Sequence, residues 1–333
     1  MSILVTGVAG FIGFHTALRL LERGERVLGI DSLNDYYATS LKRDRLAEIT
    51  RLHGDAFEFI QVDFANRDAL AQALAGEGVD RIVHLGAQAG VRYSIENPHA
   101  YVESNLVGHL NVMEWARRSE ACRHMVYASS SSVYGSNRTL PFSVDDRVDH
   151  PISLYAATKK ADELMSETYA HLYRLPMTGL RFFTVYGPWG RPDMAMWLFT
   201  DAILNDRPID VFGEGNMRRD FTYVDDIVTG VVACLDNPPP DDGAAKAGGS
   251  VGPHRLYNIG NHRSEELTHM IEVLEGAIGK RAVRRLQPMQ PGDVRDTHAN
   301  IDAIQNDLGF EPKTTIAEGI PRFVAWFRAY HGL

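Results

Sequence analysis

Cysteine is almost missing: the 333 residues include two, Cys122 and Cys234, and neither stands at a ligand-like spacing from another cysteine or a histidine. That excludes a disulfide framework and a Cys/His zinc site, and it fits a reducing compartment. No apolar run approaches the ~20 residues that span a bilayer, so no membrane role is expected. The start, MSILVTG, enters a strand-like run at once and leaves no room for a secretory leader, so a cytoplasmic protein is expected. The 13 histidines contain no H-E-x-x-H arrangement, and no metal site is in view. Basic residues are scattered through a chain of net charge −9, which is unsuited to binding a nucleic-acid backbone. What remains is ordinary globular composition, 44% hydrophobic and 23% charged, in a chain long enough for one large α/β unit with an appended lobe.

Short apolar runs alternate with helix-length amphipathic stretches through the first half: ILVTG, RVLGID, FEFIQVD, RIVHLGA, RHMVYASS and MTGLRFF. Repeated strand and helix in that order predict an α/β fold, a doubly wound parallel sheet of the Rossmann type covered on both faces. After about residue 184 the alternation loosens, and glycine and proline gather in YGPWGRP, DRPIDVFGEG and the stretch 237–254, which reads as a mobile surface loop. Residues 1–183 are therefore expected to form the dinucleotide-binding domain, with 224–260 returning to it. Residues 184–333 are expected to supply mainly a smaller mixed lobe that binds the substrate. Ligands of such folds sit beyond the carboxyl ends of the strands, in the crevice against the lobe.

The first strand runs into GVAGFIG, with glycines at 7, 10 and 13, followed by the helical sequence FHTALRLLERG. Gly7 permits a tight turn, Gly10 lets backbone N–H groups approach a pyrophosphate, and Gly13 lets helix and strand pack closely. Asp31 ends the second apolar run, where a carboxylate accepts from a ribose 2′-hydroxyl and repels a 2′-phosphate, favouring NAD over NADP. Asp63, ending FEFIQVD, is placed near the adenine by the same geometry, or is simply an exposed strand-end aspartate.

Residues 155–159 read YAATK. On a helix, Tyr155 and Lys159 share a face one turn apart. A free tyrosine has a pKa of about 10, and a neighbouring cation favours the phenolate. With GVAGFIG and the serine run VYASSSSVYG at 126–135, this pair resembles the extended short-chain dehydrogenase/reductases over essentially the whole chain. The resemblance implies that Tyr155 is the base that takes a proton from a sugar hydroxyl, assisted by Lys159 and bound NAD. It implies Ser130 as the hydrogen-bond partner of the reacting oxygen, with Ser131 and Ser132 close enough to compete. It also adds Phe11, Ile12, Phe64, Leu85, Ala87 and Asn105 to the cofactor site, although Asn105 is alternatively an internal partner of backbone groups.

Sugar-nucleotide dehydratases and decarboxylases carry acidic residues before VYG, where this chain has Ser131 and Ser132. TVYGPWGRPDMAMWLF at 184–199 and AGVRYSIENP at 89–98 resemble the UDP-glucuronate 4-epimerase family in particular. That implies a UDP-sugar substrate, NAD retained through turnover, and a homodimer formed through helices drawn from 98–118 and 153–174. Arg191, with Thr184, would clamp the hexuronate carboxylate; pairing with Asp193 is the competing reading of the same arginine. Arg219 and Arg295 match positions near the diphosphate, and Val211 and Phe212 of PIDVFGEG flank the uracil. Arg92 faces the substrate or serves the start of a helix. A UDP-glucose/UDP-galactose 4-epimerase, a UDP-glucuronate decarboxylase and an NAD-sensing regulator without chemistry are the alternatives, and regulators of that kind commonly lack the tyrosine and lysine.

Overall fold

The computed structural model describes residues 2–290 and 292–333. All six apolar runs become strands: β1 (Ser2–Thr6), β2 (Val27–Asp31), β3 (Phe57–Gln61), β4 (Val79–His84), β5 (His124–Ser130) and β6 (Met177–Phe182). Between them run α1 (Phe11–Glu22), α2 (Thr39–His53), α3 (Arg67–Ala73), α4 (Tyr93–Glu96), α5 (Pro98–Tyr101), α6 (Gly108–Ala116) and α7 (Leu154–Tyr173). The second half adds β7 (Thr184–Tyr186), β8 (Ile209–Phe212), β9 (Arg218–Tyr223), β10 (His254–Ile259), β11 (Ser264–Glu266) and β12 (Arg284–Gln287). Its helices are α8 (Ala195–Leu204), α9 (Val224–Asp236), α10 (Leu267–Ile278), α11 (Asp302–Leu308) and α12 (Ile316–His331).

Seven strands form one sheet in the order β3-β2-β1-β4-β5-β6-β10, and every pairing in it is parallel. The chain leaves β1 in opposite directions across the sheet, so the crevice lies where β1 and β4 separate at their carboxyl ends. Both faces are covered, which is why β1 and β2 can be apolar almost throughout. The expected α/β doubly wound sheet is thus what the chain builds.

The seventh strand is different in kind. HRLYNI is fully buried yet half polar, and its histidine and asparagine are matched by distant partners. His254 meets the Tyr127 hydroxyl at 2.8 Å and Glu167 at 2.8 Å, while Asn258 donates to Phe142 and Asn300 carbonyls at 2.7 and 3.0 Å. Helix α9 and residues 299–310 bury Ile227, Val231, Ile304 and Phe310 in the same core as the sheet. The stretch between α9 and β10 stays irregular but is pinned, since Ser250 donates to Glu167 at 2.8 Å and Leu256 N–H to the Ala247 carbonyl at 2.9 Å.

The lobe has its own core. β9 pairs with β7 in parallel and β11 in antiparallel sense, β12 pairs with β8, and α8, α10 and α12 close over them through Met196, Ile203, Met270, Leu274, Ile320 and Phe327. Helix α12 starts in a capping box, Thr315 with Glu318. No helix among the described residues is long and apolar enough to cross a membrane.

Candidate active site

The glycine turn is set by close approach. Gly7 has φ +68°, and a Cβ on it would lie 2.7 Å from Gly86; one on Gly13 would lie 2.1 Å from the Gly7 carbonyl oxygen. Only hydrogen fits at either position, so α1 closes onto the turn and the turn onto the segment after β4. Gly10 caps α1 with extended backbone, and the first turn, opened by Phe11 and Ile12, holds no acidic side chain that would compete for its N–H groups. Asp31 is buried and accepts from Leu33 N–H at 2.8 Å and Ala9 N–H at 3.2 Å. Burial pushes its carboxyl up, and those amides with Lys42 and Arg45 oppose the shift. It therefore ties the glycine turn to the loop after β2.

Three residues expected at the cofactor site make contacts within the protein itself. Asp63 is exposed and accepts from Ala65 N–H at 2.9 Å, which is turn chemistry. The Phe64 ring is buried against Gly86 and Gly108 and edge-on to His84, so its side chain serves the core. Asn105, 2% exposed, accepts from Gln88 N–H at 2.8 Å and donates to the Gln88 carbonyl at 3.1 Å and to Thr158 at 3.0 Å. Its amide is spent on protein groups, because the helix between α5 and α6 widens into a π-type turn, Val102–Val107, that turns Asn105 inward. It holds the 85–90 segment, in which Leu85 and Ala87 are half-buried beside Gly7.

Helix α7 begins with Ser153, whose hydroxyl accepts from Ala156 N–H at 3.1 Å. That cap fixes the first turn, where Tyr155 is half-buried with its ring edge-on to Tyr101, centroids 6.0 Å apart. The Tyr155 hydroxyl has no hydrogen-bond partner among the described residues. Lys159, one turn on, is 3% exposed and donates to Asp162 at 2.6 Å. Asp162 is a partner that YAATK alone does not reveal. Burial pushes its carboxyl up to about 6 while Lys159 pulls it down, so above that pH its charge offsets part of the field of the ammonium. Behind Lys159, burial holds His84 down to about 3, with the ammonium acting in the same direction.

Ser130 ends β5, is 8% exposed, and accepts from Ser132 N–H at 3.2 Å, which begins the tight turn Ser131–Tyr134. Ser131 and Ser132 are half-buried in that turn. Ser129 faces the other way and donates to Glu163 at 2.7 Å. Alternation along β5 thus puts Ser130 on the face opposite Ser129, at the carboxyl end of the strand.

Thr184 opens β7 half-buried. Arg191 pairs with Asp193, Nε to Oδ1 at 3.0 Å and Nη2 to Oδ2 at 2.5 Å, so the pairing reading of this arginine holds in the structure. Among the described residues, the bidentate contact leaves the Nη1 protons without a partner. Arg191 stays within electrostatic range of Tyr155.

On the lobe side, the Arg92 guanidinium lies 5.1 Å over the Phe212 ring and 3.6 Å from Asp293. Arg219 is half-buried nearby; burial lowers its pKa, Asp293 and Asp296 raise it and Arg92 lowers it further. Arg295 is exposed beside them, bonded to the Asn216 carbonyl at 3.3 Å. Val211 is a correction: it is 1% exposed in the lobe core, because strand alternation turns it inward and Phe212 outward. Gly292 lies against Val91 and the Ile152 carbonyl, which brings the 292–295 loop over the start of α7.

Known proteins are similar to this chain over nearly its whole length. The probable UDP-glucuronate 4-epimerase of Rhizobium meliloti (strain 1021) is 47% identical over 333 residues, covering 98% of this chain and 97% of the relative. The crystal structure of UDP-glucuronic acid 4-epimerase from Bacillus cereus in complex with UDP-glucuronic acid and NAD matches with TM-score 0.89 and 31% identity, over 99% of this chain and 100% of that one. UDP-glucose 4-epimerase from Thermotoga maritima with UDP-glucose matches with TM-score 0.86 and 27% identity, over 99% and 100%. The sequence model of the NAD dependent epimerase/dehydratase family matches residues 3–260, and on that extent, with the relatives above, the chain belongs to that family.

Proposed function

We propose that the protein is an NAD-dependent UDP-glucuronate 4-epimerase that forms UDP-galacturonate. The observation that carries this is Arg191, a half-buried cation within electrostatic range of Tyr155, in a crevice where a neutral hexose would need none. A glycine turn in which a Cβ at 7 or 13 would collide fits a dinucleotide pressed onto the α1 N-terminus. Bound there, NAD supplies a reversible hydride acceptor for the C4 carbon of the sugar.

Tyr155 takes the C4 hydroxyl proton and returns it at the end of turnover. Ser130 hydrogen-bonds the reacting oxygen. Arg219, Arg92 and Arg295 answer the diphosphate, and Phe212 offers a ring beside the nucleotide. A 4-keto hexuronate is a β-keto acid, and it loses CO₂ when the carboxylate bond aligns with the ketone π system. Thr184 and the free face of Arg191 hold the carboxylate out of that alignment while the ring turns over. The net result is inversion at C4 without net redox.

Incubating the purified protein with UDP-glucuronate, without added NAD, and separating the sugar nucleotides tests this. UDP-galacturonate is the expected product. A decarboxylated pentose alone, or turnover of UDP-glucose with none of UDP-glucuronate, refutes the assignment.

We also propose a homodimer through α6 and α7. Leu164 and Leu172 on α7 are 57% and 61% exposed, with Leu110 of α6 exposed as well. Sedimentation should give a dimer that Leu164→Glu weakens; a monomeric wild-type protein at micromolar concentration removes the proposal.

A further inference from the structure

The loop after β2 does more than follow Asp31. Tyr36 in that loop donates to Asp193 Oδ2 at 2.9 Å, and Asp193 in turn holds Arg191 by two bonds. A Cβ on Gly90 would sit 2.5 Å from the Tyr36 hydroxyl, so the phenol passes where only glycine leaves room. Arg45 of α2, 0% exposed, donates to the carbonyls of Ala9 at 2.8 Å, Trp189 at 2.5 Å and Gly190 at 3.1 Å, and to the Tyr37 hydroxyl at 2.8 Å. His15 of α1 lies 2.8 Å from the Pro188 carbonyl. The segment before Arg191 is therefore fastened to the glycine turn, and its side chain is fastened to the ribose loop.

We propose that Asp193 and Tyr36 are positioning residues that aim the free face of Arg191 at the carboxylate of the sugar, linking that aim to the loop that Asp31 anchors for the cofactor. This rests on the reading of the substrate as a UDP-hexuronate. An arginine side chain has many rotamers, and a planar fork recognises a carboxylate only when its plane is fixed. Asp193 takes the Nε edge, which fixes the plane and leaves Nη1 for the substrate. Tyr36 fixes Asp193. Burial and the Asp193 charge push the Tyr36 phenol up to about 12, so it remains a donor throughout the working range. Burial raises the Asp193 carboxyl, but Arg191 and Tyr36 hold it below the usual carboxylate range, so it remains an acceptor.

Tyr36→Phe and Asp193→Asn, made in the full-length protein with its bound cofactor, test this. Each should raise KM for UDP-glucuronate about tenfold, the equivalent of one charge-assisted contact, with a much smaller change in kcat. The inhibition constant of UDP-xylose, which lacks C6 and its carboxylate, should stay unchanged. A merely structural role would move both constants together, and that result overturns the proposal. An unchanged KM overturns it too. So does a lower KM for Asp193→Asn, which would mean that Asp193 competes with the substrate for Arg191. Wild-type protein that never turns over UDP-glucuronate identifies failure of the functional reading itself, whatever the variants do.

Discussion

Tyr155→Phe is expected to lower kcat about 10³-fold or more while NAD and the UDP-sugar still bind. The substitution removes one oxygen and keeps the ring, so the edge-on contact with Tyr101 and the Ser153 cap of α7 remain. Neither His84, Asp193 nor Asp162 is ready to replace the lost base. His84, at the carboxyl end of the central strand β4, is buried and bonded to Thr6, and burial keeps its pKa near 3. Asp193 is committed to Arg191 and Tyr36. Asp162 is committed to Lys159 and is 0% exposed. Steady-state rates together with spectrophotometric assay of retained cofactor decide the matter. A variant within tenfold of wild type means that another group accepts the proton.

The largest effect on stability is expected at the ion pair beneath the same helix. Glu163 of α7 and Arg181 of β6 are each 1% exposed and meet through Nε and Nη2 at 2.8 and 2.9 Å. Arg181 also donates to the Tyr134 hydroxyl at 3.1 Å, and Glu163 accepts from Ser129 at 2.7 Å. The pair thus joins the helix carrying Tyr155 to the strands carrying Ser130. Removing one partner leaves the other charge buried and unanswered, so Glu163→Ala should cost about 3–5 kcal/mol in urea unfolding. Replacing both residues with leucine should cost far less, because no uncompensated charge remains.

The pair also makes stability depend on pH. Burial raises the Glu163 carboxyl, but Arg181 more than offsets that and holds it below its ordinary 4.5. A carboxyl lowered by folding stabilises above its unfolded value, and the contribution disappears as pH falls through the folded value. Acid unfolding of Glu163→Ala should therefore be less steep below about pH 4.5 than that of wild type. A loss under about 1 kcal/mol for the single variant would mean that water reaches the site and screens it.

Much of the large sheet was legible because its strands carry their own explanation. ILVTG and RVLGID are apolar almost throughout, and burial on both faces accounts for that. Strand β10 shows the limit. Read alone, HRLYNI has histidine, arginine and asparagine where a buried strand wants apolar residues, and their partners Glu167, Tyr127, Phe142 and Asn300 are remote in sequence. Val211 and Phe212 show another limit, since a four-residue strand does not announce which face is inward.

Local spacing placed the glycine turn, the acid at the end of β2, and the tyrosine one helical turn before the lysine. Those relations depend on i+3, i+4 or strand-then-turn geometry, which the chain carries wherever it folds. Whether Arg191 pairs with Asp193 or faces a ligand could not be read that way, and in the fold it forms a pair with one face left over. Tyr36 reaches Asp193 from 157 residues away along the chain, and Arg45 reaches the Gly190 carbonyl, just before that pair, from 145, so no local pattern marks them. Backbone periodicity is written residue by residue, whereas the matching of buried polar groups depends on which distant segments the sheet order brings together.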